Sequence, residues 1–187
     1  MGAVLKTPVA GKSVPGKTAA KSVSGKNAAK RIAPAGSVSS SMALADIDFD
    51  HIYTAAPQER IDVIRRGVPA KHLGVLSVKM NMPKESLMDS LGLSRATVSR
   101  KVREDKALSQ DESERILGVE ALIGQVRAMV AESGDPAGFD AAKWVSGWLN
   151  SPLPALGGST PASYMDTVEG QKLVASLLAM SQSGAYA

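Results

Sequence analysis

The sequence predicts an all-α protein with three parts. Apolar residues recur three and four positions apart in its middle and C-terminal regions, and residues that favour helix starts and ends flank these stretches. The first 45 residues lack this periodicity. We therefore expect a disordered basic tail at residues 1–45, a helix-turn-helix domain at residues 46–118 and a small helical domain at residues 119–187.

The composition narrows the range of functions. The chain of 187 residues has no cysteine and two histidines, His51 and His72, so disulfides, thiolate metal sites and Cys–His nucleophiles are excluded. It has no apolar run of about 18 residues and does not start with the apolar core of a secretory signal. We expect a soluble, cytoplasmic, non-enzymatic protein that needs no cofactor or metal and does not bind membranes.

Charge is distributed unevenly along the chain. The formal net charge of +4 combines a tail that has seven basic and no acidic residues with a C-terminal region that is acidic overall. A basic segment attracts phosphate groups and adds non-specific, salt-dependent affinity for nucleic acid. We expect polyanions to contact the front of the chain and a different partner to contact its end. A targeting peptide has a similar composition and is the alternative for the tail.

One motif in the tail imitates a nucleotide-binding loop. Residues 11–18 match G-x-x-x-x-G-K-[ST], a pattern that cradles phosphates where a buried strand runs into a helix. Neither element is indicated here, because Lys6 and Pro8 precede the match and no apolar stripe follows it. We interpret the match as a coincidence of composition, and NTPase activity is the weaker hypothesis.

Residues 83–102 predict two helices joined by a tight turn. Pro83 suits the first helical position, Gly92 permits the bend, and Ser94 can cap the second helix. Upstream, apolar pairs around Gly67 predict two further short helices. The apolar pairs in order are Ile61 and Ile64, Leu73 and Leu76, Leu87 and Leu91, and Val98 and Val102.

The second helix of this pair has the residue types of a DNA-recognition helix. Serine and threonine hydroxyls bond phosphates or base edges, arginine bonds guanine through two hydrogen bonds, and a helix N-terminus favours an anion. A helical hairpin with a solvated basic face is the plainer alternative. The residues predicted to contact DNA are Ser94, Arg95, Thr97, Ser99, Arg100, Lys101 and Arg103.

The C-terminal region predicts a long helix and then shorter ones. Ser109 and Glu112 have capping-box spacing, and the stripe behind them is expected to be core rather than a dimer seam. A helix beginning near Asp140 carries Trp144 and Trp148 on one face, where we expect them to anchor the core. The stripe consists of Ile116, Val119, Ile123, Val126 and Val130.

The last helix and the chain end carry separate predictions. Thr160 and Pro161 indicate a short helix, and Thr167 can cap the last one. Its buried face is predicted to contain Leu173, Val174, Leu177 and Leu178, and Gly184 is predicted to end it. Tyr186 beside a free carboxylate suits a pocket on another protein, and a frayed end is the alternative.

From the helix-turn-helix onward, the chain resembles one family. The residues that carry the resemblance are 113–116, 142–144, 148–149, 156–161, 167–170, Val174 and 184–187. In this order they resemble the Xre/MbcA/ParS antitoxins, over roughly residues 60–187. Met88 departs from the usual Ala or Gly of a helix-turn-helix, and the Lys-rich tail lies outside the family pattern.

The resemblance implies an antitoxin of a type II toxin–antitoxin system, with an Xre-like helix-turn-helix domain and a C-terminal toxin-binding domain. The implied partner is a RES-domain toxin, an NAD-consuming or ADP-ribosylating enzyme whose active-site cleft the C-terminal segment of the antitoxin blocks. Gly184, Ala185, Tyr186 and Ala187 would then occlude the toxin, and residues 95–103 would bind operator DNA for autorepression. The expected assembly is a homodimer or a hetero-oligomer with the toxin.

A protein of another class fits many of the same residues. A stand-alone helix-turn-helix transcriptional regulator or a nucleoid-associated protein would bind DNA in the same way, and its C-terminal domain would only dimerise. A RES-like enzyme encoded beside this gene would favour the antitoxin.

Overall fold

The computed structural model describes residues 48–134 and 136–182, and both ranges fall within a single unit, Ser41–Ala187. This described part contains eight α-helices, two short 3-10 helices and no β-strand. The α-helices are α1 (Phe49–Thr54), α2 (Pro57–Arg66), α3 (His72–Lys79), α4 (Lys84–Ser90), α5 (Arg95–Arg103), α6 (Gln110–Ser133), α7 (Ala141–Leu149) and α8 (Val168–Gln182). The predicted all-α class is confirmed. The predicted disordered tail at residues 1–45 and the motif at residues 11–18 lie outside the described residues.

The long helix α6 is the element on which the others pack. α1, α2, α7 and α8 all contact it. Its capping box forms as predicted, with Ser109 Oγ accepting a hydrogen bond from the Glu112 amide at 3.2 Å and the Glu112 carboxylate accepting one from the Ser109 amide at 2.7 Å. The predicted stripe is core: Ile116, Val119, Ile123 and Val126 are buried and Val130 is partly buried.

Two glycines inside α6 let other segments approach its backbone. A Cβ at Gly124 would lie 2.2 Å from the carbonyl oxygen of Phe49 in α1. A Cβ at Gly118 would lie 1.8 Å from Oε1 of Gln171 in α8. Glycine lowers helix stability by about 1 kcal/mol relative to alanine. In α6 that loss is offset by close packing of α1 and of Gln171, which no other residue would allow.

The role predicted for the tryptophans of α7 was wrong for Trp144, which is 41% exposed. Trp148 is half-buried. The residues that bury α7 are Ala141, Ala142, Val145 and Leu149. These small and branched side chains form the buried face of α7, and each indole, one residue before Val145 or Leu149 in the sequence, lies at the edge of that face.

The last helix, α8, follows its predicted cap. Thr167 Oγ1 accepts a hydrogen bond from the Gly170 amide at 3.1 Å. Val174, Leu177 and Leu178 are buried as predicted, whereas Leu173 is 41% exposed, which corrects that part of the prediction. The polar Gln171 lies buried instead, because the position across from it on α6 is a glycine. The predicted end at Gly184 lies outside the described residues.

Candidate functional site

α4 and α5 form the predicted helix-turn-helix. α4 begins at Lys84, one residue later than predicted, and Pro83 occupies the N-cap position. Gly92 makes the turn at φ +58°, in the left-handed region that glycine favours. Ser94 caps α5 by accepting a hydrogen bond from the Thr97 amide at 3.4 Å. The apolar residues that join the two helices are Leu87, Leu91 and Val98, all buried, and Val102, partly buried.

The outer face of α5 presents polar and basic side chains to solvent. Ser99, Arg100 and Arg103 are exposed, and their side chains make no hydrogen bond or ion pair within the part of the chain that the structure describes. Arg95 is also exposed, and its Nε donates a hydrogen bond to Asp89 Oδ1 of α4 at 3.1 Å. This hydrogen bond and the charge of Asp89 raise the pKa of Arg95 above its usual value.

Two of the predicted DNA contacts lie deeper in the fold. Thr97 is half-buried. The Lys101 side chain is 17% exposed and forms an ion pair with Glu112 at the start of α6. Burial alone would raise the pKa of Glu112, but hydrogen bonds from Lys101 and from the Ser109 backbone outweigh it and lower that pKa. Lys101 therefore fastens α5 to α6, and its contact with DNA stays a prediction.

Both histidines form hydrogen bonds with glutamates of the same chain. His72 of α3 hydrogen-bonds the buried carboxylate of Glu120 in α6. His51 Nε2 lies 3.0 Å from Glu59 Oε1 at the surface. A buried carboxylate is costly unless it is hydrogen-bonded, so His72 acts as the structural partner of Glu120 between α3 and α6.

A second surface, which the sequence did not predict, lies on α7 and the segment just before it. We call Phe139, Trp144 and Trp148 the aromatic surface. The ring centroids of Trp144 and Trp148 are 6.2 Å apart with nearly parallel planes, and those of Phe139 and Trp144 are 6.3 Å apart. Phe139 is 37% exposed, similar to Trp144. Beside Phe139 opens a groove of about 720 Å³ between α1, α6 and residues 136–142.

Comparison with known proteins identifies both regions. A family model of the antitoxin Xre-like helix-turn-helix domain matches residues 59–119, and a model of the antitoxin Xre/MbcA/ParS C-terminal toxin-binding domain matches residues 134–184. A Prs ADP-ribosylating antitoxin of Sphingobium sp. (strain YBL2) is 46% identical over 136 residues, which cover 73% of this chain and 86% of that protein. The chain belongs to the Xre/MbcA/ParS antitoxin family.

A second relative of this Xre/MbcA/ParS antitoxin is more distant. Antitoxin Xre of Yersinia enterocolitica serotype O:8 / biotype 1B (strain NCTC 13174 / 8081) is 25% identical over 126 residues, or 67% of this chain and 80% of that protein. The protein is thus an antitoxin of a toxin–antitoxin system, and its toxin-binding domain implies a toxin as partner.

The two family matches divide the structure as follows. The helix-turn-helix match, residues 59–119, takes in α4 and α5, and the toxin-binding match, residues 134–184, takes in α7, α8 and the aromatic surface. The predicted division between residues 118 and 119 falls inside the continuous helix α6 and stays a prediction. The predicted toxin-contacting residues Gly184, Ala185, Tyr186 and Ala187 follow α8 and lie outside the described residues.

The described residues show neither a membrane-spanning helix nor a cluster of metal ligands. None of the helices within residues 48–134 and 136–182 is long and apolar enough to cross a membrane. Across the same ranges, no group of three His, Cys, Asp or Glu side chains is arranged to hold a metal ion.

Proposed function

We propose that this antitoxin binds operator DNA through α5 and neutralises a RES-domain toxin, an NAD-consuming or ADP-ribosylating enzyme, through its C-terminal region. The observation that carries the proposal is the exposed basic face of α5 within a matched helix-turn-helix domain. The toxin class is supported by the family resemblance and by the relative at 46% identity, whose name includes ADP-ribosylation.

The proposed DNA contact uses the arrangement of side chains on α5. Arg95, Ser99 and Arg103 are spaced by four residues and form one row along the helix, and Arg100 flanks that row. In a helix-turn-helix the N-terminal part of the recognition helix meets base edges in the major groove. Ser94 and Arg95 would therefore lie nearest the bases, and Arg103 nearest the phosphates. DNA bound in this way would place the antitoxin on its own operator for autorepression.

The test of this contact uses the full chain and a duplex from the DNA immediately upstream of its own gene. Replacing Arg95 and Arg100 together by Ala is expected to weaken binding at least about 10-fold, because a good arginine contact contributes about 1–3 kcal/mol. Arg127→Ala is the matched control, since Arg127 is also exposed and paired, with Asp50 at 2.9 Å, but lies on α6. An unchanged gel shift in the double variant would reject α5 as the recognition helix.

The proposed toxin contact has two components. The aromatic surface provides the anchor, because exposed aromatic clusters mark interaction sites and tryptophan and tyrosine dominate binding energy at interfaces. Gly184, Ala185, Tyr186 and Ala187 provide the occluding segment, which enters the active-site cleft and excludes substrate. Inhibition is then steric, and the net acidic C-terminal region speeds encounter with a basic toxin surface.

Deleting residues 183–187 separates the two components. The truncated antitoxin is expected to fold, to bind DNA and to remain bound to the toxin encoded beside its gene, because the aromatic surface is intact. It is expected to lose inhibition, so NAD consumption by the toxin returns in a reconstituted mixture. Full inhibition by the truncated protein would reject occlusion by the C-terminal segment, and a neighbouring toxin that does not consume NAD would reject the RES class.

A further inference from the structure

Arg115 of α6 holds the turn between α4 and α5. Its Nη1 donates hydrogen bonds to the carbonyl oxygens of Leu91 at 2.7 Å and Gly92 at 3.1 Å, and the guanidinium also pairs with Asp111. The Arg115 side chain is 14% exposed. The last carbonyl groups of a helix have no partner within it. Arg115 supplies that partner for α4 and fixes the point where the chain enters α5.

Gln171 of α8 in turn holds the backbone of Arg115. Its Nε2 donates hydrogen bonds to the carbonyl oxygens of Arg115 and Met165, both at 2.9 Å. Gln171 is buried, and it reaches α6 only because Gly118 has no side chain there. One amide group therefore joins α8 to the residue whose side chain holds the helix-turn-helix turn.

A second contact joins the same regions directly. A Cβ added at Gly92 would lie 3.2 Å from Arg115 Nη1 and 3.2 Å from the Cβ of Asp166. Asp166 belongs to the loop that leads into α8. The toxin-binding region therefore packs against the turn of the helix-turn-helix at the glycine that makes the turn.

We infer that Gln171 is a positioning residue for the recognition helix and acts through Arg115. The inference rests on the proposed binding of DNA by α5. A buried acceptor that loses its partner costs free energy. Without Gln171 the buried Met165 carbonyl loses this donor, and the Arg115 carbonyl keeps only its bond within α6. The segment before α8 then no longer packs firmly against Arg115, the Arg115 side chain releases the Leu91 and Gly92 carbonyls, and α5 is displaced. The two regions matched by separate family models then form one DNA-binding unit.

The experiment compares two glutamines that bridge the same pair of helices. Gln171→Met keeps the length of the side chain and removes both hydrogen bonds. Gln125→Met is the matched control: Gln125 Nε2 donates to the carbonyl oxygen of Ala175 in α8 at 3.1 Å, but it lies about 15 Å along α6 from Arg115. The full-length variants are compared by hydrogen exchange and by affinity for the duplex upstream of the gene.

Hydrogen exchange measures the stability of the turn between α4 and α5 through the amides of Gly92 and Leu93. The amide of Leu93 donates to the Met88 carbonyl at 2.8 Å and that of Gly92 to the Asp89 carbonyl at 3.1 Å. In Gln171→Met these two amides are expected to exchange faster while core amides do not, and DNA affinity is expected to fall about 2- to 30-fold. Gln125→Met is expected to change neither. Equal behaviour of the two variants overturns the inference.

Two further variants keep the result decisive. Gly118→Ala places a Cβ where Gln171 Oε1 lies, so it is expected to reproduce the effects of Gln171→Met even if that variant folds poorly. Combining Gln171→Met with Arg115→Met is expected to weaken DNA binding no more than Arg115→Met alone, whereas additive losses would reject the route through Arg115. If the wild-type chain does not bind the duplex, the operator proposal fails, and exchange at Gly92 and Leu93 still decides this inference.

Discussion

The face of α5 and the aromatic surface on α7 are exposed surfaces of opposite chemistry. α5 presents arginines and serines, and its Arg95 is paired with Asp89 of the neighbouring helix. α7 presents aromatic rings that contact one another, with Trp144 and Trp148 nearly parallel. The first suits a polyanion, whose binding is electrostatic and salt-dependent, and the second suits a protein, whose binding depends on apolar anchors.

A single sequence reveals a basic, DNA-binding type of surface more readily than an aromatic, protein-binding one. Arginine and lysine are almost never fully buried, so basic residues on a predicted helix indicate an exposed face, although Lys101 turned out to be mostly buried against Glu112. Tryptophan is found both in cores and at interfaces, and the spacing of Trp144 and Trp148 fits either place. Only the burial of Val145 and Leu149 on the adjacent face of α7 decides between the two.

Two substitutions in α7 test whether the aromatic surface is separate from the core. Leu149→Ala is expected to lower the free energy of unfolding by about 2–5 kcal/mol, because Leu149 is buried in the core and its truncation leaves a cavity there. Trp144→Ala is expected to cost less than half of that amount, since much of the indole is already in water. Urea denaturation of both variants measures the difference. Equal losses would assign Trp144 to the core.

Local signals account for the parts of the fold that the sequence predicted. The capping box at Ser109 and Glu112, the turn at Gly92 and the cap at Thr167 each depend on residues within a few positions of one another. Such interactions can be predicted from the sequence because the residues that form them are neighbours along the chain.

The connections between regions were not predictable in this way. Arg115 reaches the Leu91 carbonyl across 24 positions, and Gln171 reaches the Arg115 carbonyl across 56 positions. From the sequence alone, Gly118 and Gly124 only indicate a less stable helix. Their packing role is not visible there, because the segments that approach them, around Phe49 and Gln171, are distant along the chain. The available signal was the presence of glycines inside an otherwise strong amphipathic helix, which suggests that another segment packs closely against the helix backbone.

The next effect tests what the aromatic surface binds. Trp144→Ala is expected to weaken the complex with the toxin about 30-fold, as for an interface hot spot, and to leave DNA affinity unchanged. Leu173→Ala is the control, because Leu173 is equally exposed at 41% and lies on α8 of the same toxin-binding match. Calorimetric titration of each variant with toxin measures the loss. A larger loss for Leu173→Ala would move the anchor to α8.

A smaller effect concerns the electrostatic part of the comparison. Each phosphate contact contributes about 0.9 to the slope of log affinity against log salt concentration. Arg100→Ala is therefore expected to lower the slope for DNA by about 1, and removal of residues 1–45, with seven basic residues, is expected to lower it further. Trp144→Ala is expected to leave the slope unchanged. A slope that does not respond to Arg100→Ala would place the phosphate contacts elsewhere.

The smallest effect tests the fastening of α5 to α6. Because the pKa of Glu112 is lowered in the folded protein, its contribution to stability is complete above the usual glutamate pKa of about 4.3 and is lost as pH falls further. Glu112→Gln keeps a side-chain acceptor for the Ser109 amide but cannot ionise. The difference in unfolding free energy between the wild type and this variant is therefore expected to shrink from neutral to acidic pH. A difference that is constant with pH would show that the ion pair with Lys101 does not stabilise the junction of α5 and α6.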